Sequence, residues 1–73
     1  MRPYDVVVNE VIMRIGGKNG RVLKKHMLMK VDSCTEEYLN RAENDGYVES
    51  FSEDFMGVTD TYLRRGPNSK EIW

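Results

Sequence analysis

Few side chains in this chain have the chemistry of a catalyst. His26 is its single histidine and Cys34 its single cysteine. A metal site needs several converging ligands and a nucleophile needs a base beside it, so neither residue completes a centre. The run Gly16-Gly17-Lys18-Asn19-Gly20 lacks the spacing of a phosphate-binding loop and has no strand before it. No catalytic residue, metal or cofactor is therefore expected, and the chain reads as a non-enzyme without a small-molecule substrate. Cys34 falls in the first turn of an expected helix, where the helix N-terminus lowers a thiol pKa. It has no resolving cysteine to work with.

Charge is the remaining chemistry, and it is segregated. Residues 1–30 carry seven basic side chains against two acidic ones, a net of +5. Residues 31–63 carry nine acids against Arg41, a net of −8, and residues 64–73 return +2. The overall −1 thus conceals a dipolar molecule, able to present a basic end to nucleic acid or an acidic end to a basic protein surface.

The elements that must position these charges follow from hydrophobic spacing. Val8, Val11, Ile12 and Ile15 fall at i, i+3, i+4, i+7, which predicts a helix over 4–15 with Pro3 just before it. The glycines of 16–20 stop it. Residues 21–31 read as a second helix with Leu23, Met27 and Val31 inward and Arg21, Lys24 and Lys25 grouped outward. That basic group is either an ordinary solvated face or a contact. Ser33-Cys34-Thr35-Glu36 matches a capping box and opens a third helix that buries Tyr38, Leu39 and Ala42 and ends at Asp45-Gly46. Glu37 and Arg41 are spaced to pair at i, i+4.

Beyond Gly46 the period changes from 3.6 to 2. Tyr47 to Phe51 and Val58 to Leu63 alternate as two strands, with Ser52 to Gly57 as a protruding loop between them. Phe55 and Met56 in that loop either fold back over the core or stand out as a binding tip. The expected fold class is α+β: one domain over 1–66, three helices followed by a two-stranded hairpin, then a flexible tail over 67–73. A chain of 73 residues has room for one small core. Its apolar runs are broken by charge well short of a membrane span, its start has neither a secretory nor a transit pattern, and its lone cysteine suits a reducing compartment. A cytoplasmic protein is expected.

This order of elements resembles the winged helix-turn-helix family over roughly residues 5–65. The resemblance is carried by the short Lys30-Val31-Asp32 between the second and third helices, by Asn44-Asp45-Gly46-Tyr47-Val48 leading into the first wing strand, and by Val58-Thr59-Asp60-Thr61-Tyr62-Leu63-Arg64-Arg65-Gly66 closing the second. It implies transcription-related work, usually with the third helix in the DNA major groove and the wing against the backbone. In size and economy of fold the chain is also similar to small phage regulators that bind host RNA polymerase.

The charges point away from DNA. The third helix offers Glu36, Glu37 and Glu43 against Arg41, and the wing offers Glu53 and Asp54, whereas a DNA reader neutralises phosphates with several Lys or Arg. The expected function is a non-enzymatic transcription regulator that binds RNA polymerase or another protein of that machinery. Its protein-binding residues would be Glu36, Glu37, Asn40, Glu43, Glu49, Glu53 and Asp54, with Phe55 and Met56 as apolar anchor. The alternative is a sequence-specific repressor or excisionase-like factor that reads bases with Thr35, Asn40 and Arg41 and holds phosphates with Arg21, Lys24, Lys25, Arg64 and Arg65.

Overall fold

A computed structural model describes residues 2–69. The first helix, α1, spans Tyr4–Ile15 as its spacing predicts, and Pro3 at its N-cap leaves its carbonyl to accept from the Val7 amide at 3.1 Å. The buried stripe gains Val7, fully enclosed with Val11, beside Val8, Ile12 and Ile15. Each such side chain contributes about 1.5–3 kcal/mol of burial, so α1 is held by its packing and not by its propensity alone.

The next element corrects the sequence reading. Val22–Leu23 form a strand, β1, and the second helix, α2, runs only over Lys24–Lys30. Among the described residues the sheet therefore has three strands where a two-stranded hairpin was expected. β1 pairs antiparallel with a strand 40 residues further on, Val22 opposite Leu63 and Leu23 opposite Tyr62. A two-residue strand has no period of its own, so only this pairing reveals it. Arg21 consequently leaves the helix, and the expected basic grouping of Arg21, Lys24 and Lys25 on one helical face does not form.

The third helix, α3, spans Glu36–Asn44, and Thr35 caps it: its hydroxyl accepts from the Tyr38 amide at 3.1 Å. The expected cap, Ser33, stands further out at φ +65° and accepts from the Arg2 amide at 2.9 Å. Cys34 accordingly precedes the helix and is buried. Burial, and then the nearby Glu10 carboxylate, push its thiol pKa up, the reverse of the expected helix-terminus effect. At the other end the Gly46 amide donates to Glu43 O and the Tyr47 amide to Ala42 O, at 3.1 and 2.9 Å, while Gly46 takes φ +79°. This paired closure needs a left-handed residue, which is why the helix stops where the glycine stands.

β2, Val48–Phe55, and β3, Val58–Arg65, form the hairpin, in register from Val48 opposite Arg65 to Phe55 opposite Val58. The sheet order is β1-β3-β2. The six-residue loop expected over 52–57 is instead strand continued to a two-residue turn, Met56-Gly57, because Ser52, Glu53, Asp54 and Phe55 keep pairing with Thr61, Asp60, Thr59 and Val58. The core lies between α1, α3 and the inner sheet face, where Leu39, Leu63 and Val48 join Val7 and Val11 as its largest enclosed side chains.

Of the expected tail, residues 70–73 lie outside the described residues. Within the described part, the Asn68 amide donates to Gly46 O at 2.8 Å and its side chain to Asp45 O at 2.9 Å. Among the described residues no helix is long and apolar enough to cross a membrane.

Arg2 ties α1 to the connection between α2 and α3. Its guanidinium reaches Glu10 Oε1 at 2.8 Å and Asp32 O at 2.6 Å, and Arg14 approaches the second Glu10 oxygen at 3.3 Å. Hydrogen bonding by Arg2 holds the Glu10 carboxyl below its usual pKa. A lowered folded-state pKa stabilises the fold above the unfolded value, and that contribution is lost as pH falls through the folded value. Glu10→Gln should therefore lower the urea midpoint at pH 7, and the difference from wild type should close once Glu10 is protonated in both states. A gap that persists unchanged at acid pH would show that the carboxylate charge contributes nothing.

Candidate docking hairpin

Each strand of the hairpin has two faces, set by the period-2 alternation. Glu49, Phe51, Glu53 and Phe55 of β2 share the face turned from the core with Arg64, Tyr62, Asp60 and Val58 of β3, whereas Val48 and Leu63 are buried on the other. On the outer face the Phe51 and Tyr62 rings stack at 5.7 Å. Arg21 lies over Tyr62 at 4.6 Å and Arg64 over Phe51 at 5.1 Å. These contacts make a cation-aromatic ladder across the sheet.

The pairing of Glu53 with Asp60 sets two like charges directly opposite, which is destabilising in isolation. Both are offset from the β1–α2 side. Arg21 forms an ion pair with Glu53, and Lys25 reaches Asp60 at 3.5 Å. Further along, Arg64 holds Glu49 at 3.0 Å. The basic half of the sequence thus acts largely as counterion to the acidic half, a relation that linear charge counts do not reveal.

The acids of α3 divide. Glu36 is engaged by Lys24 of α2 at 3.1 Å, and Glu43 accepts from the Ser50 hydroxyl of β2 at 2.8 Å. Glu43 is therefore the α3 carboxylate that the structure joins to the hairpin. Glu37 and Asn40 are exposed on the helix. Arg41 turns from the expected partner Glu37 to lie 3.9 Å from the Tyr4 ring centre and 3.9 Å from Asp45. Tyr4 in turn donates to Asp45 at 2.7 Å, and burial, followed by this bond, raises its phenol pKa. Arg65 donates to Gly16 O at 3.2 Å and to Ser69 Oγ at 3.3 Å, so it bridges loop to loop.

Asp54 accepts from the Thr59 hydroxyl across the strands. Beyond it the apolar tip stands in solvent: Phe55 is 75% exposed, Met56 87% and Val58 59%. Of the two readings of Phe55 and Met56, the flap over the core is thereby excluded. Val58 is a third tip residue that sequence reasoning missed, as it missed Asp60. The usable signal was Gly57, which allows a two-residue turn and so makes Phe55 and Val58 direct cross-strand neighbours.

The turn itself violates a local rule. Met56 sits at φ +53° and Gly57 at φ +83°, a combination for which Asn-Gly is the favoured pair. A left-handed methionine costs about 1–2 kcal/mol relative to a right-handed one. Its side chain gains no core contact in return.

Among the described residues no group of three or more His, Cys, Asp or Glu is placed to hold a metal ion. An apolar groove of about 320 Å³ lies between α1 and the 47–69 side, lined by Tyr4, Val8, Ile12 and Tyr47, but none of the hairpin residues reaches it. No family model matches the chain, and no curated protein or solved structure matches it either.

Proposed function

We propose that this chain is a winged-helix regulator of transcription, without enzymatic activity, that docks on RNA polymerase or another protein of that machinery through its acidic hairpin and α3 and so inhibits or modifies transcription. The observation that carries the docking is the tip: three exposed apolar side chains, one held in a strained backbone conformation, rimmed by Glu53, Asp54 and Asp60. Strain kept where no packing requires it is a signature of binding sites. An apolar centre with an acidic rim complements a pocket rimmed by Lys and Arg. The resemblance of element order to winged helices supplies the transcriptional setting.

The balance of charge disfavours a DNA reading. Arg21, Lys24, Lys25 and Arg64 each stand beside a carboxylate of the same molecule in exposed pairs that are individually weak, and the hairpin strands hold four acids against Arg64 and Arg65, so phosphates meet a net negative surface there.

The test is a titration of isotope-labelled protein with purified RNA polymerase and, separately, with mixed-sequence duplex DNA at low salt. Saturable broadening centred on Phe55, Met56 and Val58 with polymerase, and none with DNA, is the expected result. Shifts on α3 with DNA and a steep salt slope would replace this reading with a DNA reader; silence toward polymerase would remove polymerase as the partner.

A further inference from the structure

Among the described residues the sheet order β1-β3-β2 leaves one whole side of β2 without a neighbouring strand. The ladder register says which groups that side presents. The Gly66 amide donates to Tyr47 O at 2.9 Å, so residues 47 and 66 form a hydrogen-bonded pair. By alternation the pairs from Glu49–Arg64 to Phe55–Val58 are hydrogen-bonded too. The intervening residues, Ser50, Ser52 and Asp54, therefore direct their main-chain N–H and C=O outward to the free edge.

We infer that this edge accepts an extended segment of a partner protein as a fourth strand, with basic residues at i and i+4 and an apolar residue at i+2. The inference rests on the docking reading above and names how the partner is held. Residues directly opposite one another share a sheet face. A strand added beside β2 sets three successive same-face residues against Glu49, Phe51 and Glu53. Among the described residues Arg64 and Arg21 meet Oε1 of those carboxylates, and a carboxylate has a second oxygen with which to accept from an added lysine. On the other face of the same strand Glu43 meets the Ser50 hydroxyl and so adds negative charge beside β2. Main-chain bonds supply affinity and the alternating side chains supply selectivity.

The same acids disfavour a second copy as the fourth strand. Antiparallel self-pairing centred on Phe51 sets Glu49 against Glu53 of the other copy, and β2 carries three acids and no basic residue of its own. Charge on an edge is a common guard against self-association. Here it also selects the sign of the segment that is admitted.

The experiment uses the full chain and three synthetic heptapeptides: TKTVTKT, the same peptide with its edge-facing amides N-methylated, and TETVTET. At saturating TKTVTKT, amide exchange at Ser50, Ser52 and Asp54 should slow by at least about tenfold, since these donors gain partners, with no comparable change at Phe51 and Glu53. The N-methylated and the glutamate peptides should give no protection. Protection absent with TKTVTKT, or equal with the N-methylated peptide, overturns edge pairing. A second arm uses Ser52→Pro, which removes an outward donor and leaves the β2–β3 ladder intact, as proline on an edge strand allows. This variant should lose peptide protection and at least about tenfold in polymerase affinity. Wild-type affinity of the variant for polymerase overturns the inference and leaves the docking reading standing. Failure of the unaltered protein to bind polymerase removes that partner, and the peptide result still decides the edge.

Discussion

Replacing Met56 by Asn should make the protein more stable, and replacing Phe55 by Ser along with it should abolish the proposed docking. Two effects of opposite sign are expected from one turn. Asparagine tolerates the left-handed conformation that Met56 holds at φ +53°, and Asn-Gly is the preferred pair for a two-residue hairpin turn, so the urea midpoint should rise by the equivalent of about 0.5–1 kcal/mol. Both replaced side chains are mostly exposed, and substitutions at such positions otherwise change stability by no more than about 0.5 kcal/mol. A central apolar anchor of an interface is worth about 2 kcal/mol or more, so loss of even one of the two should lower affinity for polymerase by about 30-fold or more. Calorimetry or denaturant titration gives the first quantity and a binding isotherm the second. Retained affinity in the double variant would dismiss the tip as an anchor, and no gain in stability from Met56→Asn alone, which keeps Phe55 opposite Val58, would dismiss the strain at the turn.

Gly66→Ala should be the most disruptive single methyl in the hairpin. A Cβ at Gly66 would stand 2.3 Å from Gly46 O and 2.8–2.9 Å from Gly46 C and Tyr47 C, all main-chain atoms that cannot rotate away. The crossing of these two segments is also where the Gly66 amide meets Tyr47 O and the Asn68 amide meets Gly46 O. Separating them loosens the C-terminal closure of α3 and the first rung of the hairpin together. Overpacking of this kind costs about 1–3 kcal/mol and more where backbone must move. Domains of this size hold about 0.05–0.15 kcal/mol per residue, so the variant should lose a large share of its stability at 25 °C. A midpoint within about 0.5 kcal/mol of wild type would mean that the close approach is not maintained in solution.

The parts of this molecule legible in its sequence are those whose determinants are local and repeated. The stripe from Val8 to Ile15 marks α1, because a 3.6-period kept over eight positions fits a helix and not a period-2 strand. The end of α3 at Asp45-Gly46 is equally readable, since the closure needs a left-handed residue and glycine supplies it. The change to period 2 after Gly46 announces the hairpin. Where two neighbouring residues of similar chemistry compete, local reasoning errs by a short shift: Ser33 and Thr35 are both good caps, and the choice of Thr35 follows from Ser33 being recruited by Arg2.

The charges separate what sequence and tertiary structure each decide. Composition and order alone determine a small dipolar α+β chain with a basic first part, an acidic middle and an apolar pair near the turn, because these quantities depend only on which residues are present and how they alternate. Whether those charges meet one another or face solvent depends on strand register, and register is a long-range property. The pairing of Val22 with Leu63 creates β1, removes Arg21 from the helix and sets it against Glu53; the pairing of Phe55 with Val58 turns a loop into strand and raises Phe55, Met56 and Val58 into solvent. Each of these outcomes is settled by contacts between residues that the linear pattern leaves independent.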